Sequence, residues 1–362
     1  MADRPVGFGR VASGSGGGSA ATFEPPIDGA LILDDDAASA LLPSRPERGH
    51  KGTFGKLLVI AGSLDYAGAA LLVCRSAGRA GAGLVTLAVP ESLQPLFAAK
   101  VEEATTMALP EDDVEELEPE EAITRILDHE HDAIVVGPGL RPGLATREFI
   151  ADLLAVSEPA GVVLDAEALR ALASTDAWWS TVHRPAVLTP HVGEFQRLRA
   201  GSGLDPADDG DLVDDDAARA TAGRSAAAAW SQVVVLKGAR TVISDPDGSV
   251  AVAPFSNPAL ATGGTGDVLS GTIGALLAQG LGPFQAASLG VYLHGMAGEA
   301  VRERLGDAGL LASDLPIEIA QARHRLAMHA ERRSRDGRLG FGPRDRSGAA
   351  SPGDGSAGES PR

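Results

Sequence analysis

Short, continuously apolar segments alternate with helical patterns through the middle of this 362-residue chain. Strands of this kind are buried on both faces and are typical of parallel sheets whose connections are helices. The alternation therefore predicts an α/β fold with a mainly parallel sheet that is covered on both sides. The predicted strands are Lys56–Ala61, Leu84–Val89, Asp132–Val136, Gly161–Leu164, Ala186–Leu188 and Gln232–Leu236.

The rest of the pattern predicts one hairpin and a series of helices. Thr241–Ser244 and Val250–Ala253 flank Asp247-Gly248, which indicates two antiparallel strands joined by a tight turn. The predicted helices are Ala67–Ala80, Leu93–Lys100, Thr146–Val156, Ala217–Trp230 and three longer ones near 266–279, 283–304 and 313–333.

The two ends of the chain differ in composition from its middle. Residues 1–25 are rich in Gly and Ser, and residues 334–362 in Gly, Ser, Pro, Arg and Asp. Segments of this composition bury too little apolar surface to order their backbone, so both are predicted to be disordered. Residues 26–333 are predicted to form one domain, because no internal repeat or long linker divides them.

Composition excludes several classes of protein. The net charge of −18 makes nucleic acid a poor partner. No apolar run of about 18 residues occurs, so no membrane-spanning helix is expected, and the absence of a signal pattern predicts a cytoplasmic protein. Cys74 is the only cysteine, which excludes an intramolecular disulfide and a cysteine zinc cluster. The acidic runs are predicted to lie in loops or at helix starts: Asp34–Asp36, Glu111–Asp113 and Asp214–Asp216.

Unusual residues follow the predicted strands at their carboxyl ends, where parallel α/β sheets bind ligands. Gly137-Pro-Gly139 is either a simple turn or a binding loop. His191, in Thr-Pro-His, is either a structural histidine or a hydrogen-bonding group for a ligand, and Glu194 is suited to cap the next helix or to help hold a cation. Lys237, followed by glycine, suits a phosphate or adenosine contact, whereas the alternative is a solvated lysine beside a hairpin.

The stretch from Asn257 to Gly271 carries the strongest signal. Gly263, Gly264, Thr265 and Gly266 precede Asp267, after which the sequence becomes an apolar helix. Backbone N–H groups at such a helix start bind phosphate oxygens, and the helix dipole favours their negative charge. A capped helix would need one glycine rather than three, so an anion site is predicted. The chain has no Gly-Lys-Ser/Thr, so this is not a Walker A loop.

Other features have a structural interpretation or an undecided one. Lys51-Gly-Thr-Phe-Gly55 is either a tight turn or a ligand-binding segment, with a slight preference for function. His294 lies in an apolar helical segment and is predicted to be buried rather than catalytic. Trp178 and Trp179 are predicted to pack within or beside a loop.

Taken together, these motifs resemble the ribokinase-like superfamily and, within it, the ADP/ATP-dependent NAD(P)H-hydrate dehydratase family. The resemblance covers roughly residues 30–325. Its markers are KGTFG at 51–55, GAGLVT at 81–86, GPGL at 137–140, LDAEAL at 164–169, TPHVGE at 189–194, LKGA at 236–239, NPALATGGTGDVLSG at 257–271 and YLHGMAGE at 292–299. The segment at 164–169 departs mildly from the Asp-Ala-Asp that is commoner in the family. The resemblance implies a ribokinase-like, three-layer α/β/α fold.

The resemblance also implies an activity, namely repair of the S epimer of hydrated NADH or NADPH (NADHX, NADPHX) by ADP-dependent loss of water. Asp267 would be the catalytic base, and the hydrate would contact Ala69, Gly139, His191 and Asp267. The nucleotide would contact Lys237, Gly238, Ala239, Arg240, Thr241 and Gly266, with Gly263, Gly264 and Thr265 completing the phosphate loop. Mg²⁺ is the implied ion, and its ligands are unknown.

The resemblance implies partners as well. Many relatives carry an epimerase domain ahead of the dehydratase, whereas residues 1–25 stand in its place here. A chain with only the dehydratase domain and a separate epimerase are therefore expected. The family forms symmetric assemblies, which implies a homo-oligomer, specifically a homotetramer.

Two rival functions remain open from the sequence. A ribokinase-like kinase for a vitamin precursor, such as a hydroxymethylpyrimidine or a hydroxyethylthiazole, would use the same loop and base. The TPHVGE, LKGA and NPALA contexts favour the dehydratase. A non-catalytic, nucleotide-binding regulator is the second rival, and the presence of Asp267 argues against it.

Overall fold

A central sheet organises the computed structural model, which describes residues 25–158, 160–200, 202, 204 and 211–338. In the described residues, ten strands form this sheet, in the order β1-β12-β11-β10-β9-β8-β7-β2-β3-β4, and β5 pairs with β6 in a separate hairpin. The strands are β1 Leu31–Ile32, β2 Lys56–Ile60, β3 Leu84–Pro90, β4 Thr105–Leu109, β5 Glu111–Asp113, β6 Glu116–Leu117, β7 Ala133–Val136, β8 Gly161–Leu164, β9 Ala186–Leu188, β10 Val233–Leu236, β11 Val242–Ser244 and β12 Val250–Val252.

Helices cover both faces of the sheet. They are α1 Asp35–Ala40, α2 Ala67–Ala80, α3 Gln94–Ala98, α4 Pro119–Leu127, α5 Leu144–Ala155, α6 Glu167–Ala173, α7 Val192–Ala200, α8 Asp211–Asp214, α9 Asp216–Trp230, α10 Thr265–Ala278, α11 Pro283–Leu305 and α12 Leu315–Arg338. None of the helices in the described ranges is long and apolar enough to cross a membrane.

The pairing pattern confirms the predicted fold class. Neighbouring strands from β10 through β9, β8, β7, β2 and β3 to β4 are parallel. The β11–β12 pair is antiparallel, as the hairpin prediction required, and β10–β11 is antiparallel as well. The first strand, β1, returns to pair in parallel with β12, with Leu31 opposite Ala251.

Alternate residues of each central strand enter different cores, because successive side chains of a strand point to opposite faces. In β2, Leu57 and Val59 join the core beneath α2, α10, α11 and α12. Leu58 and Ile60 join the core beneath α4, α5, α6, α7 and α9. This two-sided burial explains why the strands are continuously apolar.

The buried helix α10 packs very closely on α2. A Cβ atom at Gly271 would lie 2.4 Å from the backbone oxygen of Val73 and 2.2 Å from Ser76 Oγ. Glycine is therefore required for the two backbones to approach each other. This contact fixes the start of α10, where the glycine-rich loop lies, against the first turns of α2.

Two of the three acidic runs have the predicted positions and one does not. Asp34 caps α1 by accepting a hydrogen bond from Ala37 N at 2.7 Å, and Asp215 caps α9 through Ala217 N at 2.7 Å. The prediction for Glu111–Asp113 was wrong, because these residues form strand β5. Pairing with β6 gives their backbone its hydrogen bonds, and the side chains of Asp112 and Asp113 remain exposed.

Most predicted elements appear within one or two residues of their expected bounds. The structure adds elements that sequence patterning did not identify: β1, β4, β5, β6, α1, α4, α6 and α8. Helix α12 continues to Arg338, past the predicted boundary at 333. Residues 1–24 and 339–362, most of the two segments predicted to be disordered, lie outside the described residues.

The Lys51–Gly55 segment lies at the amino end of β2, so it faces away from the carboxyl ends of the parallel strands. Gly55 has φ +84°, and a Cβ atom there would lie 2.1 Å from Ala278 O. Gly83 contacts the same segment, since its Cβ would lie 1.8 Å from Lys51 O. These contacts assign the segment a packing role, whereas the sequence slightly favoured ligand binding.

The Gly55 geometry predicts an unequal effect of two glycine substitutions. Gly248, in the β11–β12 turn, has φ +93°, and no atom of the described residues would lie within 4 Å of a Cβ added there. Gly248→Ala should cost about 1 kcal/mol, from backbone strain alone. Gly55→Ala should cost roughly 2–5 kcal/mol, because a steric clash adds to the same strain. Urea unfolding measures both, and equal costs would contradict the packing role.

Candidate active site

The carboxyl ends of four adjacent parallel strands meet at one edge of the sheet. Gly137–Gly139 follows β7, Asp165 follows β8, Thr189–His191 follows β9 and Lys237 follows β10. The sequence analysis singled out residues after β7, β9 and β10, and the parallel order of the sheet brings them to the same edge. That this edge is a ligand site stays a prediction.

The glycine-rich loop, Gly263–Gly266, approaches this edge from the helix layer that contains α2 and α10. Gly264 has φ +89° and immediately precedes α10, which begins at Thr265. No side chain caps α10 in the described part of the chain. The hydroxyl of Thr265 donates within the loop, to Leu260 O at 2.8 Å or Thr262 O at 2.9 Å. The N–H of Thr265 donates to Thr262 O at 3.3 Å, whereas those of Gly266 and Asp267 have no acceptor among the described residues and are available to an anionic ligand.

A buried ion pair joins the strand ends to α10. Asp165, which is 2 % exposed, accepts hydrogen bonds from Lys237 Nζ at 2.9 Å and from Ser270 Oγ at 2.6 Å. Burial opposes ionisation of Asp165, but the charge of Lys237 and these hydrogen bonds outweigh it and lower the pKa of the carboxyl. Asp165 is therefore an anion that fixes the position of the lysine.

Asp267 lies beside this pair with a very different protonation equilibrium. Burial and the nearby charge of Asp165 raise the pKa of Asp267 to about 7, although Lys237 acts in the opposite direction. A carboxyl that titrates near neutral pH is suited to accept a proton during a reaction. The position of Asp267, in the first turn of α10, agrees with the sequence prediction.

Glu194 and His191 form the outer part of the cluster. Glu194 Oε2 accepts a hydrogen bond from His191 N at 2.9 Å, which caps α7, and it lies 3.9 Å from Lys237 Nζ. Asp165, Glu194 and Asp267 all surround Lys237, and their charges raise the pKa of the lysine despite its burial. The side chain of His191 is 57 % exposed and so can reach a ligand at the edge of the cluster.

A cavity of about 560 Å³ opens next to this cluster. Lys237, Gly238, Ala239, Thr241 and Gly266, five of the six residues predicted to bind the nucleotide, line it. The rest of the wall is largely apolar and includes Ala253, Phe255, Leu260, Leu269 and Val291. The sixth predicted residue, Arg240, is not part of the lining and donates a hydrogen bond to Asp216 Oδ2 at 2.6 Å.

Two residues predicted to contact the hydrate lie together at the start of α2. A Cβ atom at Gly139 would lie 2.9 Å from Ala69 Cβ and 2.7 Å from Tyr66 O. The same helix contacts the glycine-rich loop, since a Cβ atom at Gly264 would lie 2.7 Å from Leu72 Cδ1. Ala69 and Gly139 thus lie at the start of a helix that contacts the loop at Leu72, and their ligand role stays a prediction.

His294 is buried, as predicted, but it also belongs to the site. Its Nε2 lies 3.0 Å from Thr265 O, and the ring lines the cavity. Burial lowers the pKa of His294 to about 4, so the ring is neutral at physiological pH. A neutral ring that donates from Nε2 to a carbonyl supports the loop without adding charge to it.

Sequence reasoning missed Asp165 and Ser270 as site residues. Asp165 was noted only as part of the segment 164–169, and Ser270 only as part of the loop motif. The available signal was the position of a charged residue at the carboxyl end of a buried strand. The partner, Lys237, lies 72 positions away, and nothing in the sequence indicates that these two residues form an ion pair.

Two further observations concern possible metal ligands and a second cavity. The described parts of the chain contain no group of three or more His, Cys, Asp or Glu side chains placed to hold a metal ion. A larger, more open groove of about 800 Å³ lies along α4 and is lined by several acidic residues, but it shares none with the Lys237 cluster.

The raised pKa of Asp267 predicts a pH-dependent stability. The unfolded chain loses this proton near the ordinary aspartate value, whereas the folded protein keeps it until about pH 7. The free energy of unfolding should therefore fall between about pH 4 and pH 7 because of this group. Asp267→Asn should stabilise the protein by roughly 2–4 kcal/mol at pH 8 and hardly at all at pH 4. Denaturant unfolding at both pH values tests this, and an equal effect at both would contradict it.

Comparison with known proteins identifies relatives of this chain. The family model for NAD(P)H-hydrate dehydratases matches residues 57–321. The bifunctional NAD(P)H-hydrate repair enzyme of Moorella thermoacetica is 42 % identical over 277 residues, which cover 76 % of this chain and 50 % of that protein. The ADP-dependent (S)-NAD(P)H-hydrate dehydratase of Neisseria meningitidis is 36 % identical, covering 78 % of this chain and 90 % of that protein.

Solved structures give the same result. The ADP/ATP-dependent NAD(P)H-hydrate dehydratase of Bacillus subtilis, co-crystallised with ATP and Mg²⁺, has a TM-score of 0.69 and 32 % identity. The alignment covers 83 % of this chain and all of that one. The chain spans about half the length of the first curated relatives that it matches. With the family model matched over most of the described fold, the chain belongs to the NAD(P)H-hydrate dehydratase family.

Proposed function

We propose that the protein dehydrates the S epimer of NADHX or NADPHX at the expense of ADP, yielding the reduced cofactor, AMP and phosphate. The observation that carries the proposal is Asp267, a carboxyl with a pKa of about 7 at the start of α10, next to a cavity. The relative from Neisseria meningitidis supports the choice of ADP and of the S epimer.

In the first step, Asp267 removes the proton from the C6 hydroxyl of the hydrate as that oxygen attacks the terminal phosphoryl group of ADP. The P–O bond to AMP breaks, and the backbone N–H groups of Gly264–Gly266 stabilise the charge on the phosphoryl oxygens. In the second step, the lone pair of the ring nitrogen expels phosphate from C6. A proton is lost from the neighbouring carbon, and the dihydronicotinamide ring is restored.

The nucleotide occupies the cavity of about 560 Å³, a volume within the usual range for small-molecule sites. Lys237 supplies positive charge for the phosphates, and Gly238, Ala239, Thr241 and Gly266, which also line the cavity, complete the contacts. The hydrate lies on the other side of Asp267, against Ala69, Gly139 and His191. The proposal puts Asp267 between the two substrates, where a base for phosphoryl transfer must act.

Mg²⁺ fits this site only as an ion shared with the nucleotide. No three-residue ligand set exists in the described chain, but the carboxylates of Asp267 and Glu194 both lie around Lys237. Mg²⁺ is commonly held by one or two carboxylates together with substrate phosphates. When bound, the ion would neutralise phosphate charge, and Glu194 is the side chain that would help to hold it, which leaves Asp267 as the base.

The domain, cellular location and partners of the protein are inferred from the same family. We infer that residues 26–333 act as one dehydratase domain in the cytoplasm and that an epimerase, on this or another chain, supplies the S epimer. Relatives named as bifunctional repair enzymes support this pairing. A homotetramer is the proposed assembly, which sedimentation analysis can measure.

Incubation of the protein with ADP, Mg²⁺ and NADHX tests the proposal. Recovery of absorbance at 340 nm, with one AMP formed per NADH, is expected. A vitamin-precursor kinase would give no recovery, and phosphorylation of a hydroxymethylpyrimidine or hydroxyethylthiazole in its place would support that rival. A non-catalytic regulator would bind nucleotide without turnover.

Asp267→Asn should keep ADP binding and lose turnover by about 10²–10⁴-fold, the usual contribution of a general base. Asp152→Asn is the matched control, because Asp152 is exposed on α5, in the layer opposite α10. Calorimetric titration with ADP and the absorbance assay measure the two effects. Near-wild-type turnover by Asp267→Asn would exclude this residue as the base.

The rate should also depend on pH in a specific direction. The base form of Asp267 is the ionised one, so kcat/KM should rise with pH through about 7 and then reach a plateau. Asp165→Asn removes a negative charge that raises the pKa of Asp267, so the inflection should move to lower pH. A shift to higher pH, or a profile without an inflection near neutrality in the wild type, would contradict the assignment.

A further inference from the structure

A buried arginine lies behind the segment that lines the cavity. Arg219, on α9, is 1 % exposed, and its guanidinium group donates to backbone carbonyls of the segment 236–240. One terminal nitrogen lies 2.9 Å from Leu236 O. The other donates to Ala239 O and lies 3.4 Å from Arg240 O. A single side chain thus spans the whole turn from β10 to the start of β11.

The backbone of this turn adopts unusual conformations. Gly238 has φ +157°, and Arg240, a non-glycine residue, has φ +50°. A Cβ atom at Gly238 would lie 2.7 Å from the guanidinium of Arg219, so glycine is needed for the arginine to approach. Sparsely populated conformations of this kind persist only when surrounding contacts impose them. Arg219 supplies several of those contacts.

Stability alone is a poor reason for a buried guanidinium group. Burial lowers the pKa of Arg219, and Asp216, 3.8 Å away, only partly compensates. Apolar residues of similar volume often serve a protein core as well as buried charges do. The planar fork of arginine, in contrast, matches several carbonyls at fixed positions, which an apolar side chain cannot do.

We propose that Arg219 is a positioning residue for the nucleotide, because it holds the turn whose residues Lys237, Gly238, Ala239 and Thr241 line the cavity. Arg219 does not line the cavity itself. It acts on ADP through the turn and leaves the hydrate side, at the start of α2, unaffected. This inference rests on the proposed nucleotide site, and its test separates the two.

The test compares Arg219→Met and Arg219→Lys with a matched control, Arg184→Met. Arg184 is 2 % exposed but lies two residues before β9, at the end of the sheet away from the site. Arg219→Met should raise the Kd and KM for ADP about 10–100-fold, as expected when a binding segment loses its position. KM for the hydrate should change less than about twofold, since its contacts are intact. Arg219→Lys should weaken ADP binding by an intermediate factor, and Arg184→Met should leave it unchanged.

Each outcome decides the matter. Equal losses toward ADP and the hydrate, or equal losses in the Arg184 control, would overturn the positioning role in favour of a general effect on folding. If Arg219→Met fails to fold, Arg219→Lys carries the test, and wild-type affinity for ADP in that variant would overturn the proposal. Wild-type protein that binds no ADP would overturn the proposed nucleotide site itself, independently of any Arg219 variant.

Discussion

The ion pair between Asp165 and Lys237 is the contact on which the site depends. It joins the carboxyl ends of β8 and β10, which are separated by β9, and Ser270 extends it to α10. The pair therefore ties two strands and the helix of the opposite layer at a single point. Charges removed from water need such partners, because an unpaired carboxylate or ammonium group at this depth would be very costly. The same contact therefore both joins elements of the fold and positions the side chains of the site.

The same pair creates the property that makes Asp267 useful. Asp165 is stabilised as an anion by Lys237 and two hydroxyl groups, so its negative charge is present at all physiological pH values. That charge, added to burial, keeps Asp267 protonated well above the ordinary range of aspartate. Two carboxyl groups in one site thereby differ widely in pKa, and Asp267 is the one that exchanges a proton near neutral pH. The neutral His294 beneath the loop leaves this balance unaltered.

Much of the fold was predictable, because period-2 and apolar patterns report burial directly. The central strands, α2, α9, α10 and the hairpin were all found this way, and residues after strand ends were correctly expected to meet. The edge elements β1 and β4 were missed, because β1 is two residues long and β4 is only partly buried. Asp165 and Arg219 were missed for another reason. Their roles depend on partners distant in sequence. One sequence, read without related sequences beside it, does not show which distant residues are paired.

The return of β1 to the far edge of the sheet has a consequence for biosynthesis. Its partner β12 follows it in sequence by more than half the length of the chain. Asp35 forms a hydrogen bond with Tyr292, and Asp36 forms one with His329, near the end of the fold. Strand β1 and the start of α1 therefore gain these partners only after most of the domain has been made. Long-range closure of this kind slows folding and prolongs exposure of apolar surface. The amino-terminal strand completes the domain last, and a truncated nascent chain would leave that edge of the sheet open.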